Sequence, residues 1–64
     1  MKLYYIEKWN EKGIVADYGS YADYEDIKAI TKGYSLDDEM KEFGLLVFTR
    51  KNCKTYYVME IKER

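Results

Sequence analysis

Residues 20–44 read SYADYEDIKAITKGYSLDDEMKEFG, and this stretch decides whether the chain is all-β or mixed. Ser20 is a good helix N-cap. Asp23 follows three residues later, a capping-box variant whose charge suits the positive end of a helix. Tyr24, Ile27, Thr31 and Tyr34 recur at i, i+3, i+7 and i+10, with Ile30 alongside. That spacing predicts an amphipathic helix over residues 21–32. Lys32 in its last turn and Gly33 just beyond are a stop signal. Ser35 then caps a second, short helix, with Asp38 three residues on. Leu36, Met40 and Phe43 lie on one face of it, and Gly44 closes it.

The flanks read as strands. In residues 2–9, Leu3, Tyr5 and Trp9 alternate with Tyr4 and Ile6. Asn10-Glu11-Lys12-Gly13 is a hairpin turn, and residues 14–18 return as a strand that Gly19 ends. Downstream, residues 45–50 are the most apolar strand candidate, 51–54 a turn, and 55–62 a closing strand. The predicted fold is α+β: one antiparallel sheet in the order ββααββ, with one longer and one short helix packed on one face. All 64 residues form one domain. A domain this small buries only about 60% of its unfolded surface, so the core is thin.

Composition narrows the chemistry. The chain has no His and no Pro, one Cys and eight Tyr. Without His, the commonest general base and metal ligand is missing. Cys53 is the single cysteine, so no intrachain disulfide forms. Positive charge from Lys51 and Lys54 can activate its thiol, yet a nucleophilic enzyme needs a base beside it. Asp37-Asp38-Glu39 lacks the spacing of a Ca²⁺ loop and suits a helix start instead. The four glycines stand singly at element boundaries and form no phosphate loop. No catalytic residue, metal site or cofactor is therefore expected, and the chain does not read as an enzyme. No apolar run approaches a membrane span of about 18 residues, and residues 1–9 lack the apolar centre of a signal peptide. A cytoplasmic location is expected by default.

Binding surfaces remain. Residues 17–42 carry eight acids and three lysines, net −5, whereas the rest carries +4. The acidic helical face of Asp23, Glu25, Asp26, Asp37, Asp38, Glu39 and Glu42 can steer toward a basic protein surface. The predicted sheet has apolar side chains on both faces. One set is Leu3, Tyr5, Trp9, Tyr57, Met59 and Ile61; the other is Tyr4, Ile6, Tyr56 and Val58. Two helices cover one face, which leaves the Tyr4, Ile6, Tyr56 and Val58 set for a protein partner or a homodimer.

The Lys- and Tyr-rich composition fits an A/T-rich genome, such as that of a low-GC bacterium or its phage. In length and composition the chain resembles the small proteins that phages make to block host enzymes or defence complexes. That resemblance carries over no residue. It implies a protein-binding inhibitor or adaptor that works by steric occlusion or by mimicry of nucleic-acid charge. One alternative is a single-stranded nucleic-acid module, in which sheet aromatics stack bases and Arg50, Lys51 and Lys54 track phosphates. The net charge of −1 weighs against it. A structural homodimer is the other alternative.

Overall fold

A computed structural model describes residues 1–37 and 45–64. The elements are β1 (Lys2–Asn10), β2 (Gly13–Tyr21), α1 (Tyr24–Ile30), β3 (Ser35–Asp37), β4 (Leu45–Thr49) and β5 (Tyr56–Glu63). All strands pair antiparallel in one five-stranded sheet of order β2-β1-β5-β4-β3. The chain termini therefore lie at the centre of the sheet. Met1 and Arg64 also bond to each other through the Arg64 amide and the Met1 carbonyl, 2.7 Å apart.

The first hairpin follows from its turn residues. The Asn10 side chain accepts from the Lys12 amide at 2.8 Å, and Gly13 takes φ 129°, a conformation that L side chains rarely adopt. β2 is longer than the predicted 14–18 and runs through Gly19, which sits at φ 75°. The register slips twice, between Tyr5 and Glu7 and between Lys8 and Trp9, with the extra residue on β2 each time. Bulges of this kind twist an edge strand and discourage uncontrolled pairing.

The ββααββ order with two helices is overturned. Among the described residues there is one short helix, α1, and a fifth strand stands where the second helix was predicted to begin. Ser35, Leu36 and Asp37 lie opposite Thr49, Phe48 and Val47, and so satisfy backbone groups on the outer edge of β4. The i, i+4 signal at Leu36 is outweighed by this tertiary pairing. The rest of that predicted helix, including Met40 and Phe43, falls outside the described residues.

α1 is also shorter than predicted. Ser20 is not its cap, because the β1–β2 ladder continues past it, with Ser20 opposite Tyr5 and Tyr21 opposite Tyr4. Asp23 caps instead. Its backbone is extended (φ −108°, ψ 122°) and its carboxylate accepts from the Glu25 amide at 2.9 Å. At the other end the Thr31 amide and hydroxyl both donate to the Ile27 carbonyl, at 2.9 and 2.8 Å, and Gly33 turns the chain at φ 87°.

The core lies between α1 and one face of the sheet. Ile6, Ile27, Phe48, Tyr57 and Met59 form it, with Tyr4, Tyr21, Ile30, Tyr34 and Leu46 packed around. Ile6, Ile27 and Met59 are wholly buried. Tyr34 meets Tyr57 edge-on at 4.8 Å between ring centroids.

Two outcomes follow. Truncating Ile27 to Ala removes the only fully buried side chain of α1 and should cost about 2–5 kcal/mol, a large share of what a small domain has. Urea unfolding followed by far-UV circular dichroism would measure it. In the same assay Asp23→Ala should cost about 1 kcal/mol, whereas Ser20→Ala should stay within about 0.5 kcal/mol. A larger effect at Ser20 than at Asp23 would place the cap where the sequence alone puts it.

Candidate functional site

Strand alternation sends every second residue of β1 and β5 away from α1. In register these are Leu3 opposite Lys62, Tyr5 opposite Glu60, Glu7 opposite Val58 and Trp9 opposite Tyr56. β4 adds Leu45 opposite Glu60 and Val47 opposite Val58. One row crosses the whole sheet: Asp17, Glu7, Val58, Val47, Asp37. Carboxylates stand at both ends of that row and valines in the middle.

This face holds a groove of about 690 Å³. Val47, Val58 and Leu45 contribute aliphatic lining, and Tyr5, Trp9 and Tyr56 contribute rings. Glu7, Asp17, Glu60 and Lys62 supply its charge. The Trp9 indole N–H donates to Glu7 Oε1 at 3.4 Å, and Asp17 Oδ1 accepts from the Gly19 amide at 2.8 Å. The Lys62 ammonium lies 5.0 Å from the Tyr5 ring centroid, a cation–π contact inside the groove. No described element packs over this face, since α1 contacts the other.

The sequence-predicted site residues are dispersed. Tyr4 and Ile6 point toward α1: Ile6 is wholly buried and Tyr4 rests against the Tyr24 ring at 5.5 Å. Tyr56 and Val58 point the opposite way, into the groove. The four residues do not share a face. In β1 and β5 an even-numbered residue pairs with an odd-numbered one, so Tyr4 and Ile6 stand beside Ile61 and Met59.

The acids are similarly separated. Asp23 caps α1, Glu25 pairs with Lys28 at 3.4 Å, and Asp26 is exposed on the same helix. Asp37 is instead half-buried on β3, opposite Val47. Asp38, Glu39 and Glu42 lie outside the described residues. Arg50, Lys51 and Lys54 are exposed in the connection between β4 and β5, at the end of the sheet that also carries the β1–β2 turn.

Tyr5, Glu7, Trp9, Asp17 and Val47 were not singled out together by sequence reasoning. The alternation that places them was visible, but which set of β1 faces which set of β5 depends on a register between strands far apart in the chain.

Cys53 lies beyond the groove, in the β4–β5 connection. Its Sγ is 3.0 Å from the Thr55 hydroxyl and 3.4 Å from the Tyr34 hydroxyl. Hydrogen bonds from Thr55, then from Tyr34, favour the thiolate, and Arg50 adds to the effect. The thiol falls from its ordinary 9.0 to about 7. Among the described residues no group of three or more His, Cys, Asp or Glu is placed to hold a metal ion. None of the described helices is long and apolar enough to cross a membrane.

Compared with protein-family models, with curated proteins and with solved structures, the chain matches none.

The thiol shift has a direct readout. Alkylation of the folded protein by iodoacetamide should rise through a midpoint at about pH 7, since the thiolate is the nucleophile. Thr55→Val should move that midpoint up, toward the value of an unperturbed thiol. An unchanged midpoint in the variant would show that the Thr55 hydroxyl is not responsible.

Proposed function

We propose that this chain is a protein-binding adaptor or inhibitor that acts without catalysis, and that its contact surface is the open face of the sheet. The observation that carries this reading is the groove itself: half-buried Val58, Trp9 and Tyr56 around a buried Val47, on the face that α1 does not cover. The part of Val58, Trp9 and Tyr56 that still meets water is what a partner would bury, at about 25 cal/mol per Å². The rigid rings of Tyr5, Trp9 and Tyr56 suit a contact surface, since they offer large area with few rotatable bonds. An inhibitor on this scaffold works by steric occlusion, covering a partner's site with the flat of the sheet. A cytoplasmic setting belongs to the same reading, supported by the single exposed thiol of Cys53.

Single-stranded nucleic acid fits this surface less well. Arg50, Lys51 and Lys54 sit beyond one end of the sheet, while the aromatic face is edged by Glu7, Asp17 and Glu60. Those carboxylates repel phosphates where bases would have to stack. Charge mimicry by α1 has thinner support, because Glu25 is paired with Lys28 and Asp23 is engaged as the cap.

Affinity capture from a low-GC bacterial lysate tests the proposal with three baits of verified fold. A stoichiometric partner should be held by the parent chain and by a Glu25→Lys/Asp26→Lys variant, and lost with Val58→Asp or Trp9→Ala. Loss only on reversing the α1 charges would move the contact to the helix. Equal retention by every bait would remove the open face from consideration.

A further inference from the structure

The groove carries information about its occupant. This inference rests on the proposal that the open sheet face is a contact surface. Glu7 and Asp17 stand directly opposite each other on β1 and β2, and both line the groove. Like charges directly opposite each other destabilise a sheet. A cation placed between them removes that cost. Glu60 brings a third carboxylate, against one ammonium from Lys62. The groove is therefore apolar in its floor and net negative at its margin.

The rings already hold a positive charge, since Lys62 rests on Tyr5 at 5.0 Å. The shape favours a chain over a small ion. Strands lie about 4.8 Å apart, so the row from Asp17 across Glu7 and Val58 to Val47 spans about 14 Å. An extended peptide rises about 3.3 Å per residue, and five residues cover that length. Its alternate side chains face the sheet, so one apolar side chain meets the half-buried Val58 while basic ones two positions away reach the carboxylates.

We infer that the groove binds an extended, lysine- or arginine-bearing segment of a partner protein, in which basic residues stand two positions either side of an apolar one and so share the face turned to the sheet. Charge complementarity selects this occupant over an acidic segment or a nucleic acid, and the continuous apolar floor selects it over a free metal or ammonium ion. The basic side chains are held by Glu7, Asp17 and Glu60, and the apolar one by Val58 and the rings of Trp9 and Tyr56.

Trp9 is the only tryptophan in the chain and lines the groove, so its emission reports occupancy directly. The probes are a blocked heptapeptide Ser-Lys-Ser-Val-Ser-Lys-Ser (the lysine–valine peptide), the same peptide with glutamate in place of lysine (the glutamate–valine peptide), and an oligothymidylate. The lysine–valine peptide should change Trp9 emission saturably. Its affinity should fall about ten-fold or more in Glu7→Gln/Glu60→Gln. It should weaken steadily as salt rises toward about 1 M, where screening reaches about 3 Å.

A flat titration with the lysine–valine peptide overturns the inference, as does equal or tighter binding of the glutamate–valine peptide or the oligothymidylate. Sedimentation at two concentrations gives a further check. A dimer of the parent chain that Val58→Asp disperses would seat a second copy in the groove, and would also overturn it. If captured partners are lost with Trp9→Ala while the basic peptide gives no signal, the contact surface stands and the cationic occupant falls.

Discussion

The antiparallel ladder between β1 and β5 is the constraint on which the rest of this molecule depends. It joins Lys2 to Glu63 at one end and Trp9 to Tyr56 at the other, with Ile6 opposite Met59 near its middle. Both of those central side chains are fully buried, so the register is held by core packing as well as by backbone hydrogen bonds. A slip of one residue would turn Ile6 or Met59 toward solvent and bring Glu7 or Val58 under α1. The ladder links opposite ends of the chain, and the entropy of closing so long a loop is lost before the contact forms. The two hairpins and α1 shorten that search by forming from nearby residues.

Everything on the open face follows from the same register. Once Ile6 and Met59 face α1, Glu7 and Val58 must face away, and β4 adds Val47 and Leu45 beside them. The groove is the complement of the core. Among the described residues its lining lies on the face away from α1, half-buried rings and Val58 around a buried Val47, and its carboxylates arrive with the alternation. The strand β3 extends the sheet sideways and adds nothing above it.

Much of the local structure was legible. The Asn10–Gly13 turn, the strand character of residues 2–9, 45–49 and 56–62, and the helical signal around Tyr24, Ile27 and Ile30 each have a cause within a few residues. Boundaries fared worse where a neighbour intervened. Ser20 is chemically a good cap, yet it is taken into β2 by its pairing with Tyr5, and Asp23 takes its place. Leu36 has helical spacing to Met40, yet it pairs with Phe48 in the sheet. In both cases a ladder between strands outweighs a propensity of a few tenths of a kcal/mol per residue.

By itself the sequence determined the kinds of element and the two alternating sets within each strand, because periods of 2.0 and 3.6 are properties of a single segment. It also determined the chemistry on offer: no imidazole, one thiol, many rings and a near balance of charge. Only the tertiary structure decided which set of β1 joins which set of β5. That choice put Tyr4 and Ile6 into the core with Met59, and it gathered Tyr5, Glu7 and Trp9 with Tyr56 and Val58 around the groove. Pairing in a hairpin is set by its turn, but β1 and β5 share no turn. Their register is set by which residues α1 and β4 can bury together, and no local pattern in the chain encodes that.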